Sequence, residues 1–205
     1  MSGWVDLTFF GSVFVTLLVI MDPPGIVPIF LALTAKRTPR EMRRLALQAT
    51  VTSFVVITVF AVFGEQVLSY LKISLPALQG AGGLLLLLVA LELLTGKAKE
   101  PEAEEDVSVA LVPLGTPLLA GPGAIVATIL FVRAADGDGA DLVALAAGIA
   151  AVHLVIWVSM RYSTVIARVL KPGGITVITR IAGLLLAAIA VQLCAESVRG
   201  FVAGG

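Results

Sequence analysis

Very few residues in this chain are of the kinds that build metal or covalent chemistry. There is one histidine, His153, and one cysteine, Cys194. A single cysteine excludes an internal disulfide and says nothing about redox compartment. One histidine and one cysteine leave a dedicated zinc or iron–sulfur centre without its usual ligands. Charge is scarce as well: Asp, Glu, Lys and Arg make up 14% of the 205 residues, where soluble domains carry about 25%. So few charges cannot cover a soluble protein of this size. The fourteen basic residues balance fourteen acidic ones, so no general attraction to nucleic acid follows. What is abundant is apolar: 59% of the chain, with a mean hydropathy of +1.05. A water-soluble enzyme or binding module and a disordered chain are both excluded. The composition is that of an integral membrane protein.

A bilayer-crossing helix needs about 20 apolar residues. Six segments qualify: 7–34, 45–64 (continuing past Glu65 toward Leu71), 74–94, 107–132, 142–160 and 175–195. The first and fourth are interrupted. Met1–Asp6 holds no Lys or Arg, so the first segment lacks the basic flank of a cleaved signal peptide and reads as a retained helix. Lys97–Asp106 is the one long polar connection, rich in Glu, and reads as a solvated linker. Lys and Arg fall mostly on one side. Lys36, Arg37, Arg40, Arg43, Arg44, Lys97, Lys99, Arg161, Arg168, Lys171 and Arg180 lie there, against Lys72, Arg133 and Arg199 opposite. The basic side is expected to be cytoplasmic, with both termini outside.

The chain matches itself at an offset near 100 residues. Gly83-Leu84-Leu85-Leu86 falls on Gly183-Leu184-Leu185-Leu186, Ala90 on Ala190, Glu92 on Gln192 and Leu93 on Leu193. Pro24-Gly25 falls on Pro122-Gly123 at an offset of 98. The repeat unit is three spans. Three is odd, so the second unit enters from the opposite side, which predicts an inverted repeat. The expected fold is all-α, six transmembrane helices as two inverted three-helix repeats with broken helices 1 and 4. The first repeat covers 1–96, the charged linker 97–106 and the second repeat 107–205. Paired broken helices in inverted repeats are a transporter pattern.

The first break is Met21-Asp22-Pro23-Pro24-Gly25-Ile26-Val27-Pro28. Proline lacks an N–H and clashes with the preceding turn, and the residue before it avoids helical dihedrals. One half-helix should end near Asp22. The next should start near Gly25, with free N–H groups at Gly25, Ile26 and Val27. The second break is Ala120-Gly121-Pro122-Gly123-Ala124-Ile125, preceded by Pro113, Gly115 and Pro117. A half-helix should start near Pro122 with free N–H groups at Gly123, Ala124 and Ile125. Two such N-termini, each with about half a positive charge, make an anion site that suits a carboxylate. A charge as deep as Asp22 is costly in lipid and is a functional candidate by default. It is placed to bind an ammonium group, carry a proton or cap the half-helix. Small glycines at both breaks favour a small zwitterion, and replacing Gly123 with Val should block the site while leaving the fold intact.

Other polar residues carry less. Glu92 reads as reaching the interface or pairing with Arg180, and Glu65 and Gln66 as the outer end of span 2. His153 reads as hydrogen-bonded in packing rather than as a proton relay. Gln79 with Gly80, Gly82 and Gly83 opens span 3, the glycines allowing close helix approach. Ser12 and Thr16 share one face and are placed to line the Asp22 cavity.

The run Asp22-Pro23-Pro24-Gly25-Ile26-Val27-Pro28-Ile29-Phe30 with Leu31-Ala32-Leu33-Thr34 resembles the first signature of the MarC family of six-span bacterial and archaeal membrane proteins. Pro117-Leu118-Leu119-Ala120-Gly121-Pro122-Gly123-Ala124-Ile125 resembles the second. The resemblance extends over essentially the whole chain. It implies transport of small neutral amino acids such as glycine, alanine and serine across the inner membrane, with proton dependence. It also implies a substrate site at the broken helices, Asp22, Pro23, Pro24 and Gly25 with Gly121, Pro122 and Gly123, to which the free N–H groups at the half-helix starts add Ile26 and Ala124. No cofactor, metal or catalytic residue is expected. The partners are a zwitterionic amino acid, the bilayer and a coupling proton, with no nucleic acid and the oligomeric state open. A passive channel or exporter of another small solute is the first alternative. An intramembrane enzyme acting on a lipid phosphate is the second, although no base or nucleophile stands at either break.

Overall fold

The computed structural model describes residues 6–96 and 119–203. Among these the chain forms helices α1 (Leu7–Met21), α2 (Pro23–Leu33), α3 (Pro39–Tyr70), α4 (Leu75–Thr95), α5 (Pro122–Ala134), α6 (Gly139–Arg161) and α7 (Ser163–Ala203), with no strand. Five spans are long and apolar enough to cross a membrane, α1 and α2 together counting as one. The fourth expected span is represented among the described residues by α5 alone. Its first half lies outside the described residues, as do the Lys97–Asp106 linker and Pro113, Gly115 and Pro117.

Local chemistry sets the helix starts. Asp6 caps α1 by accepting from the Thr8 and Phe9 N–H groups at 2.7 and 2.9 Å. Thr38 and Glu41 form a capping box at the head of α3, with Pro39 in the first turn. Ser74 caps α4 and Asp138 caps α6. Helix α3 runs through Glu65 to Tyr70, as the continuation past Glu65 anticipated; Glu65 lies 2.9 Å from Arg133 and no breaker precedes the turn at Lys72. One boundary differs from the sequence expectation. Between spans 5 and 6, where a loop was expected, residues 163–170 are helical. They join the long part of α7 at Lys171, whose φ of 55° and ψ of 166° break the helix before Pro172.

The packing positions the first break. Its main core joins α1 and α2 (Val13, Leu17, Met21, Ile26, Phe30) to α6 (Leu145, Ile149, Val152, Ile156, Met160), and Leu119, Ala120 and Ala124 belong to it. A second core joins α4 to α7 through Leu86, Ala90, Leu186, Ala190 and Leu193. Large apolar side chains such as Val55, Val62, Leu84, Leu88, Leu184 and Val191 are exposed around the outside, as lipid contact requires.

Contacts come in pairs that exchange under the offset of 100. Helix α2 packs on α7 as α5 packs on α4, and α2 packs on α6 as α5 packs on α3. A Cβ on Gly83 would meet the Ala190 carbonyl oxygen at 2.8 Å. One on Gly183 would meet the Ala90 carbonyl oxygen at 3.3 Å. The opening glycines of α4 serve the close approach expected of them: Gly80 lies under Ser197 and Gly82 under Val126.

Ser53 and His153, also 100 residues apart, touch directly: Ser53 Oγ lies 3.1 Å from His153 Nε2. His153 Nδ1 lies 2.8 Å from the Ile149 carbonyl oxygen. A carbonyl only accepts, so Nδ1 donates and, in the neutral ring, Nε2 accepts the Ser53 hydroxyl proton. The ring also meets the Phe54 face edge-on at 5.3 Å between centroids. The histidine is thus hydrogen-bonded in helix packing, as expected. Ser53→Ala leaves a buried Nε2 without its donor and should destabilise the protein by about 1–2 kcal/mol. Thermal unfolding in detergent checks this, and an unchanged midpoint would refute it.

Candidate functional site

The first break is sharper than proline alone would make it. Helix α1 ends at Met21, and α2 begins at once at Pro23. Asp22 joins them in the left-handed region, at φ 38° and ψ 66°. That conformation costs a non-glycine residue about 1–2 kcal/mol, least for Asn and Asp. The second half-helix therefore starts two residues before Gly25, since proline is tolerated in a first turn. Fewer N–H groups stay free than expected. Pro23 and Pro24 have none, Ile26 donates to the Asp22 carbonyl at 3.2 Å, and the Gly25 N–H is approached by the Asp22 carboxylate. At the second break α5 starts at Pro122, as expected. There Ile125 donates to the Gly121 carbonyl at 3.2 Å, which leaves Gly123 and Ala124.

Asp22 is 7% exposed. Neither carboxylate oxygen has a side-chain partner or a well-formed capping bond; the Gly25 backbone N–H approaches the carboxylate without reaching full hydrogen-bond geometry. The carboxylate lies over the Cα of Gly25, where a Cβ would collide with Asp22 Oδ2. Thr179 Oγ1, on α7, is 3.4 Å from the same hypothetical carbon and is also buried without a partner. A buried polar atom without a partner needs explanation, and here the Asp22 carboxylate and the Thr179 hydroxyl both lie against the Gly25 Cα.

This spot opens on a cavity of about 410 Å³ that extends toward the basic end of the molecule. Asp22, Pro23, Pro24 and Val27 form one wall, Val155 and Ser159 of α6 another, and Ile178, Ile181, Ala182 and Leu185 of α7 a third. Ile166 and Leu170, from the helical piece before Lys171, lie across its end. The volume is within the range of small-molecule sites.

The second break does not line this cavity. Gly123 and Ala124 are buried, and a Cβ on Gly123 would collide with Leu86 Cδ2 and lie 3.6 Å from Ile20 Cγ2. Gly123 is therefore a packing position against a fully buried leucine. Gly123→Val overpacks this contact and is expected to cost about 1–3 kcal/mol, so a loss of stability is expected beside any block of the site. Pro122 is exposed and Gly121 half-buried.

Thr16 lines a different cavity, of about 510 Å³, toward the opposite end. Gln79, Arg133 and Glu196 line it too, with Gln79 donating to Glu196 at 3.2 Å. Ser12 bonds the Thr8 carbonyl and is exposed. Arg180 and Glu92 form no ion pair. Thr179 was missed by sequence reasoning, because a threonine in an apolar helix is unremarkable. Its repeat mate Gln79, which faces the other cavity, was the available signal.

A family model described as MarC family integral membrane protein matches residues 7–202. A UPF0056 membrane protein of Methanocaldococcus jannaschii is 34% identical over 96% of this chain and 98% of its own length. The UPF0056 membrane protein YvbG of Bacillus subtilis is 33% identical, over 94% of this chain and 95% of its own length. YhcE of Escherichia coli, a UPF0056 membrane protein also, is 30% identical over 97% and 96%. No solved structure matches the chain. Matched along nearly its whole length by the family and by relatives from bacteria and an archaeon, the chain is a multi-pass integral membrane protein of the MarC family.

Proposed function

We propose that the protein is a secondary transporter of small neutral amino acids, working by alternating access between two inverted three-helix repeats. The observation that carries this reading is Asp22: a strained, buried carboxylate without a side-chain partner at a helix break, opening on a small cavity. A scaffold gains nothing from such a group, whereas a transport site needs it. The paired contacts of α2 with α7 and α5 with α4 support the inverted repeat. The reciprocal approaches of Gly83 and Gly183 support it too. The two cavities support alternating access. One reaches Asp22 from the basic end and the other reaches Thr16 from the opposite end, on different faces of α1. By the distribution of Lys and Arg the basic end faces the cytoplasm of the inner membrane, and both termini face outside.

In this reading the substrate carboxylate meets the backbone N–H groups of Gly123 and Ala124 after one repeat rocks against the other, while Gly25 leaves room at the first break for the Asp22 carboxylate. Asp22 faces the ammonium group or a coupling cation. The resemblance implies a proton as that cation. Pro23, Pro24, Ile26, Gly121 and Pro122 shape the breaks.

The crowding over Gly25 gives a direct test. Gly25→Ala keeps a helical backbone but places a methyl group on the Asp22 carboxylate. Glycine or alanine at 100 times its dissociation constant should raise wild-type stability by about 2.7 kcal/mol, a shift absent in Gly25→Ala. Leucine should give no shift in either. Stabilisation of the variant by glycine, equal to that of the wild type, would remove the substrate from this break.

A further inference from the structure

Three features of the first break call for a cation. The Asp22 carboxylate is buried with no side-chain partner, approached among the described residues by the Gly25 backbone N–H alone. Thr179 Oγ1, also unpartnered, lies 3.4 Å from the point over Gly25 that the Asp22 carboxylate occupies, and the two do not hydrogen-bond. Further oxygens come from the sequence itself. In an unbroken helix the Val19 and Ile20 carbonyls would accept from residues 23 and 24, but these are Pro23 and Pro24, which have no N–H. Both carbonyls belong to the C-terminal turn of α1, the negative end of its dipole.

We infer that Asp22 and Thr179, with the terminal carbonyls of α1, form a binding site for a monovalent metal cation of the size of Na⁺. All the donors are hard oxygens, which suit alkali and alkaline-earth ions and not zinc or copper. One carboxylate balances one positive charge; a divalent ion would leave a net charge inside the membrane, where it is expensive. A proton alone satisfies the carboxyl but leaves Thr179 Oγ1 and the two carbonyls as they were. An ion between carboxylate and hydroxyl serves both side chains, and the end of α1 is where the unpaired carbonyls add to it. It also ties α1 and α2 to α7, so that its binding and release bear on how α7 sits against the break. This rests on the transporter reading only for its purpose. The site itself stands on the geometry.

The experiment is equilibrium binding of radiolabelled Na⁺ to the purified full chain in lipid nanodiscs, in choline buffer and without amino acid. Glycine uptake is measured separately on the same preparation. Saturable Na⁺ binding is expected, abolished in Asp22→Asn and weakened by roughly tenfold or more in Thr179→Val, which removes a neutral donor to a charge. Thr179→Val preserves shape and charge, so it decides the matter should Asp22→Asn fold poorly. No saturable Na⁺ binding by the folded wild type, or binding unaffected in Thr179→Val, overturns the inference. Glycine uptake without Na⁺ binding does so as well, and leaves the transporter reading intact. Na⁺ binding without uptake of any amino acid upholds the cation site and removes the proposed substrate.

Discussion

Asp22→Asn is expected to abolish glycine accumulation while leaving the protein at least as stable as the wild type. The two effects have opposite signs because of where the carboxylate sits. It is 7% exposed, has no side-chain partner and occupies left-handed backbone. A buried charge without a partner destabilises the fold. Asparagine removes that charge, keeps the shape and tolerates the left-handed conformation. Thermal unfolding in Na⁺-free choline buffer should therefore stay level or move upward. Transport loses a charged contact worth about 2–5 kcal/mol when one side is truncated. That corresponds to a fall of about 30- to 5000-fold. Uptake and unfolding on the same preparation check both halves. A large drop in stability with proportionate loss of uptake would make Asp22 a structural residue.

The largest expected effect on stability is at the α4–α7 interface. A Cβ on Gly83 would stand 2.8 Å from the Ala190 carbonyl oxygen and 3.0 Å from the Cys194 amide nitrogen. These are backbone atoms in the middle of α7 and cannot rotate away. Gly83→Val must push the helices apart, and is expected to cost about 3 kcal/mol or more. Its repeat mate is looser. A Cβ on Gly183 would meet Leu93 Cβ at 3.0 Å and the Ala90 carbonyl oxygen at 3.3 Å. There Gly183→Ala gains up to about 1 kcal/mol of helix propensity, which offsets the crowding, so a near-neutral change is expected. Unfolding midpoints in detergent for both variants separate the two cases. Equal tolerance at both positions would contradict the close approach at Gly83.

The breaks were legible because proline and glycine act locally. Pro24-Gly25 and Pro122-Gly123 predict where helices stop and restart, and α2 and α5 begin at or beside them. The number of free amides was not legible, since it depends on whether proline ends a helix or begins one. At Pro23 it begins one, and the Ile26 N–H is consumed. Depth along a helix was legible too, but azimuth was not. Thr16 and Leu18 are two residues apart and face different cavities. Gly123 carried the motif of a binding loop, yet it seats Leu86. Thr179 had no local signature at all, because it matters only through the fold that brings α7 to the first break.

The central claim is that this molecule moves a small amino acid against its gradient through the cavity at Asp22. The most direct measurement is uptake of labelled glycine and alanine into proteoliposomes under imposed proton and Na⁺ gradients, compared with no gradient. The account predicts accumulation above the external concentration under a cation gradient, lost in Asp22→Asn. Equilibration that never exceeds the external concentration, or no uptake at all by folded protein, would contradict it.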